Sequence, residues 1–143
     1  MITNPQMTPD LSDDISRCIK CALQEDIGTG DVTTNTIVPA IASLRGRIVA
    51  KQDGVVAGLD VAKQVFHSLS QGIAFAAKQQ DGSSVTQGAV LAELEGQARA
   101  LLTGERTALN FLGRMSGIAT LTRIFVEAVE TPFTFRVAGS NKW

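Results

Sequence analysis

Residues 101–123 read LLTGERTALNFLGRMSGIATLTR. Leu101, Leu102, Ala108, Leu109, Leu112 and Met115 recur at helical spacing. The stretch is one long helix, or two helices broken near Gly117. Glu105 falls four residues after Leu101 and three before Ala108, which places it on the apolar stripe. Arg106 falls four after Leu102 and three before Leu109, at the edge of that stripe. A helix needing only a core would carry Leu or Ala at both positions. Charges buried there must be paired or bound, because an isolated buried charge is expensive. One reading is a local ion pair or a snorkelling arginine. The other is that Arg106 points into a site and binds an anion.

The chain around this helix has 143 residues, enough for one domain with a real core. Its hydrophobic content of 44% and charged content of 19% fit a soluble globular protein. A net charge of −1 gives no reason to expect a nucleic-acid or membrane-surface partner. No apolar run is long enough to span a bilayer. The opening MITNPQMTPD has neither a basic region nor an apolar core, so it is not a secretory signal, and the cytoplasm is the default location. Cys18 and Cys21 form a C-x-x-C spacing without a second pair for zinc. In a helix Cys18 would continue the face of Ile15, Ile19 and Ala22, so both cysteines read as packed, reduced thiols.

Upstream, Thr8-Pro9 supplies an N-cap and a proline at the first helical position, with Asp10 as an alternative cap. Ile15, Cys18, Ile19, Ala22 and Leu23 give the helix its stripe. Residues 25–34, EDIGTGDVTT, end that helix in a turn. The stretch lacks the lysine of a phosphate loop, and its acids would repel phosphate. Residues 45–59 read as a hairpin, with Asp53-Gly54 as the turn and Val55, Val56 and Ala57 as the return. A second helix follows over 58–69, with His67 on its solvated side. Residues 73–78 look like a strand, and Asp81-Gly82 turns the chain. Residues 85–94 give one or two short strands, broken at Gly88. The helical region covers 98–129, with Ile118, Leu121, Phe125, Ala128 and Val129 continuing a stripe after Gly117. Thr131-Pro132 ends it, and Phe133, Phe135 and Val137 open another strand.

GERTALNFLGRMSGIATLTR closely resembles the start of the central region of quinolinate phosphoribosyltransferases, the carboxylating nicotinate-nucleotide pyrophosphorylases. The resemblance extends through EDIGTGDVTT, KQDGVVAG (51–58) and DGSSVTQGAVLAELEGQARALL (81–102). No one of these motifs is decisive, but four in the right order are specific. The same 81–96 segment also resembles the turns of biotinyl and lipoyl carrier domains. A carrier needs its lysine on an exposed hairpin tip, and Lys51, Lys63 and Lys78 lack such a context.

The resemblance implies an α+β fold. Residues 1–114 would form an open-faced α/β sandwich with a mostly antiparallel sheet, and residues 115–143 the truncated start of a (β/α) barrel. It implies the joining of quinolinate to phosphoribosyl pyrophosphate, with carbon dioxide and pyrophosphate released, in NAD biosynthesis. Magnesium would serve the full enzyme, with none expected on this chain alone. Of the family's functional residues only Arg106 has a match. It would reach the neighbouring subunit's site and hold a quinolinate carboxylate, with Glu105 in support. A complete barrel needs roughly 200 residues or more, and only 28 follow Met115. The family's Asp-Thr-Arg-Lys-Thr motif is absent from FRVAGSNKW (135–143), so Arg136 and Lys142 receive no role. No catalytic residue and no metal ligand is therefore expected in this chain, which should be inactive alone. Arg114 and Arg123 read as solvated or interface residues. The expected partners are the two substrates, a second copy in a dimer or larger assembly, or a separately encoded barrel chain. The rival reading is a carrier or interaction module.

Overall fold

The computed structural model describes residues 9–28 and 37–130. Helix α1 spans Pro9–Ile27, and α2 spans Leu59–Leu69. Strands β1 (Ser43–Val49), β2 (Gly54–Val55), β3 (Ala74–Ala77), β4 (Ser84–Val85) and β5 (Val90–Gln97) intervene. Helix α3 then runs from Ala98 to Glu130 without a break. Thr8, residues 29–34 of the EDIGTGDVTT stretch, Thr131-Pro132 and the strand expected from Phe133 lie outside the described residues.

β5 is the centre of a three-stranded antiparallel sheet, ordered β1-β5-β3. Its alternation explains why. Ala92 and Leu94 are buried, whereas Glu93 and Glu95, which alternate with them, are exposed. Ile48 lies opposite Ala92, and Phe75 opposite Leu94, so both edge strands turn apolar side chains to the same face. The other face is a charged ladder. Arg45 pairs with Glu95 at 3.0 Å and Lys78 with Glu93 at 2.9 Å. The described helices α1, α2 and α3 therefore pack from one side, and a core of Ile19, Val56, Ala62, Val65, Phe66 and Ala108 lies between them and the sheet. This is the open-faced α+β sandwich that the sequence led us to expect.

The hairpin expected over 45–59 does not form. β1 pairs with β5 across the sheet, and β2 pairs with β4 in a separate two-stranded ribbon. The Asp53 carboxylate accepts the Gln87 backbone N–H at 2.8 Å instead of closing a local turn. Ala50 exchanges backbone hydrogen bonds with Ala89 and Gly88. β5 offers Ile48 a buried apolar neighbour over a long register, which the short return strand could not.

The ribbon is also fastened to α3. The Val55 N–H donates to Thr120 Oγ1 at 2.8 Å, and the Ala57 N–H to Ser116 Oγ at 3.0 Å. These hydroxyls flank Gly117, so α3 is held on both sides of the residue where a break was one of two readings. A glycine inside a helix costs about 1 kcal/mol, which such anchoring exceeds. The domain boundary placed after Arg114 falls inside this helix.

α2 begins at Gly58, whose φ is +97°, and Met115 of α3 lies directly over it. A side chain there would be strained and would collide. The Asp81 carboxylate caps α2 from across the ribbon. It accepts the Gly58 N–H at 2.9 Å and the Leu59 N–H at 3.1 Å.

Two side-chain expectations are overturned. Cys18 and Cys21 are free but exposed, because α1 turns Ile19 and Leu23 to the core and both thiols away from it. His67 is half-buried, and its Nε2 lies 3.0 Å from the Ile73 carbonyl oxygen, so it bridges the α2–β3 connection.

Candidate functional site

α3 positions every residue of the expected site. Leu101, Ala108 and Leu112 are buried along its inner line. Leu102, Leu109 and Met115, at 41%, 42% and 37% exposure, mark the stripe's outer border. Glu105 and Arg106 both lie on the exposed side of that border. The buried charge expected from the spacing is therefore absent. The helix rotates its core-facing line toward Ala108 and Gly104, so position 105 clears the sheet. The structure does not pair Glu105 with Arg106. Among the described residues no hydrogen bond or ion pair engages Arg106. A local ion pair does not explain it.

Glu105 opens onto a cleft of about 530 Å³ between α3 and β1. Leu44, Arg47, Lys51, Leu102 and Leu109 are among the cleft's other lining residues. Arg47 stands opposite Glu93 on the charged sheet face, and Arg106 stands one position further round the helix from Glu105. Arg114 is exposed as expected. Arg123 is engaged. Its Nη2 donates to the Gly82 carbonyl at 3.2 Å, and its Nη1 lies 3.5 Å from Ser84 Oγ, which ties α3 to the 82–84 turn.

Thr107 escaped the sequence reading. It is 1% exposed, and its hydroxyl donates to the Asp26 carboxylate of α1. This bond gives the first part of the EDIGTGDVTT stretch a structural role, joining α1 to the helix that carries Arg106. The signal available was a polar side chain on the core side of an otherwise apolar helical line.

Among the described residues no group of three or more His, Cys, Asp or Glu side chains converges to hold a metal. None of the described helices is long and apolar enough to cross a membrane.

Helices α1, α2 and α3 on one face of a short antiparallel sheet, with ion pairs on the other, define an open-faced sandwich domain. Its outward arginine is held on a rigid, well-anchored helix. The chain belongs to the family described as quinolinate phosphoribosyl transferase, N-terminal domain, whose model matches residues 31–116. It is 43% identical over 106 residues to a probable carboxylating nicotinate-nucleotide pyrophosphorylase of Bacillus subtilis, covering 74% of this chain and 36% of the relative. It is 38% identical over 116 residues to the chloroplastic carboxylating nicotinate-nucleotide pyrophosphorylase of Arabidopsis thaliana, covering 80% of this chain and 33% of the relative. The crystal structure of NadC from Streptococcus pyogenes superposes with a TM-score of 0.79 at 38% identity, over 88% of this chain and 44% of that one. The nicotinate-nucleotide pyrophosphorylase of Francisella tularensis gives a TM-score of 0.80 at 30% identity, over 90% of this chain and 46% of that one. The chain thus spans about a third of the length of the curated relatives it matches. No carrier domain is needed to explain the 81–96 segment, whose turns belong to the sandwich.

Proposed function

We propose that this chain acts as the N-terminal domain of a quinolinate phosphoribosyltransferase. The reaction joins quinolinate to phosphoribosyl pyrophosphate and releases carbon dioxide and pyrophosphate, as a step of NAD biosynthesis in the cytoplasm. In it Arg106 binds a quinolinate carboxylate within a site on a neighbouring subunit or barrel chain. The observation that carries this reading is the Arg106 side chain itself, exposed and without a partner among the described residues, inside the family-matched segment. A guanidinium keeps its charge when desolvated and meets a carboxylate with two parallel N–H bonds. Mounted on a helix anchored at Ser116, Thr120 and Thr107, it loses little freedom on binding. Glu105 is a supporting residue that orients the cationic edge.

The chain's own contribution is binding and orientation of the substrate. The reaction's leaving-group chemistry, with magnesium accompanying pyrophosphate, belongs to residues other than those described. A dimer or larger assembly accords with the apolar outer stripe of α3, where Ile118, Leu121, Phe125 and Val129 are 55–64% exposed.

Turnover of quinolinate and phosphoribosyl pyrophosphate with magnesium tests the proposal. The purified chain is assayed alone and with a barrel-domain chain from a relative. No turnover alone, and turnover with the barrel chain, is expected. Arg106→Ala should then lower kcat/KM about 10²-fold, the size expected for one lost charge-assisted contact. Equal activity of Arg106→Ala and the parent chain would remove Arg106 from the site.

A further inference from the structure

Cys18 and Cys21 take no part in the function proposed above, and packing does not account for them. Both thiols are free and exposed. Ile19 and Leu23 hold α1 to the core at 2% and 7% exposure, which turns the two cysteines outward together. Three residues apart on an α-helix, their Cα atoms are about 5 Å apart and their Cβ atoms about 5–6 Å. A direct disulfide needs Cβ atoms about 3.5–4.5 Å apart, so the helix would have to distort to close one. A soft cation held between two thiolates, with metal–sulfur bonds of roughly 2.3 Å, keeps the sulfurs roughly 4.6 Å apart. Staggered rotamers on an undistorted helix reach that span.

Asp14 and Glu25 occupy the same helical row, four residues before Cys18 and four after Cys21. Neither completes a larger ligand set. Asp14 is engaged by Arg17, and among the described residues no three metal-ligating side chains converge. A hard ion or a tetrahedral zinc finds too few donors here. Two thiolates alone favour a soft ion of low coordination number.

We infer that Cys18 and Cys21 form a helical dithiol site that chelates one thiophilic cation, for which Cu(I) is the probe. Each sulfur releases its proton to solvent as it binds, so two protons leave per ion and no electron moves. The site is independent of Arg106 and of the transferase reading.

The test is an anaerobic titration of the reduced full chain with Cu(I) against a chromogenic copper chelator. One ion per chain is expected, with no doubling of mass relative to the copper-free protein. Cys18→Ser and Cys21→Ser should each weaken binding by about 10²-fold or more, the gain that a second tethered ligand gives. Both variants should keep the parent's far-ultraviolet circular dichroism, since neither thiol packs. Failure to retain copper against the chelator would overturn the inference. So would a single-cysteine variant that binds like the parent, two ions per chain, or a copper-bridged pair of chains.

Discussion

Asp81→Ala removes a cap that comes from more than twenty residues away in sequence. In the folded chain the Asp81 carboxylate receives the Gly58 and Leu59 N–H groups, at 2.9 and 3.1 Å, where α2 begins. Losing a side-chain cap costs about 0.5–2 kcal/mol. The negative charge near the positive end of the helix dipole adds about 0.3–1 kcal/mol. The 81–83 turn is also joined to the ribbon, through Gly82 N–H to the Val56 carbonyl at 2.7 Å and Val56 N–H to the Ser83 carbonyl at 3.0 Å. Those backbone bonds survive the substitution, so the turn does not detach. The expected loss is about 2 kcal/mol, or a fall in Tm of about 8 °C for a domain of this size. Asp81→Asn keeps one acceptor oxygen but no charge and should lose about half as much. Urea unfolding followed by circular dichroism, with all three proteins at one pH, measures both. A loss below about 0.5 kcal/mol for the alanine variant, the range of an ordinary surface substitution, would refute the cap. So would equal losses for alanine and asparagine.

Gly104→Ala would place a methyl group 2.9 Å from Leu69 Cδ1 and 3.1 Å from Phe66 Cδ1, where α3 crosses α2. Overpacking of about 1–3 kcal/mol outweighs the roughly 1 kcal/mol gained in helix propensity, so thermal melts should show net destabilisation. Thr107→Val keeps the shape but loses the charge-assisted bond to Asp26. Chemical denaturation should show a loss of about 1.5 kcal/mol, and an unchanged midpoint would dismiss the α1–α3 tie. The Glu93 carboxyl is held below its ordinary value of 4.5, first by the hydrogen bond from Lys78 and then by the charges of Lys78 and Arg47, with desolvation opposing. A depressed acid stabilises the fold above its unfolded pKa, and that contribution is lost as pH falls below about 4.5. Lys78→Met should flatten the acid side of the stability profile. A profile parallel to the parent's would show that the pair contributes nothing. Arg106→Ala should leave stability within about 0.5 kcal/mol of the parent, as befits an exposed residue without a partner among the described residues, and a larger loss would mark it as structural.

The local vocabulary of the fold was legible. Periodicity located α2 and the whole of α3, and the Asp81-Gly82 and Gly88 turns fell where glycines with φ of +90° and +87° stand. The strand expected over 85–94 is there as β4 and β5, and its division into a core face and a charged face appeared only in the structure. The errors share a cause. The hairpin over 45–59 rested on the nearest turn signal, while the true partner of β1 lies some fifty residues downstream. Nothing in a local window states that Ile48 will lie opposite Ala92.

Glu105 and Cys18 failed differently. Spacing placed each on the line of its apolar neighbours, but α3 and α1 are rotated in the assembled fold so that both residues are exposed. Arg106 was identified by its motif, whereas its lack of a partner among the described residues appeared only with the packing around it. By itself the sequence determined the helices, the turns at Gly82 and Gly88, the family and the candidate arginine, because these depend on residue order and intrinsic backbone preference. Strand pairing, the Thr107–Asp26 tie, the long-range cap at Asp81 and the outward thiols were decided by tertiary structure. Periodicity records which side chains share a face, and only the packing of distant segments decides what covers that face.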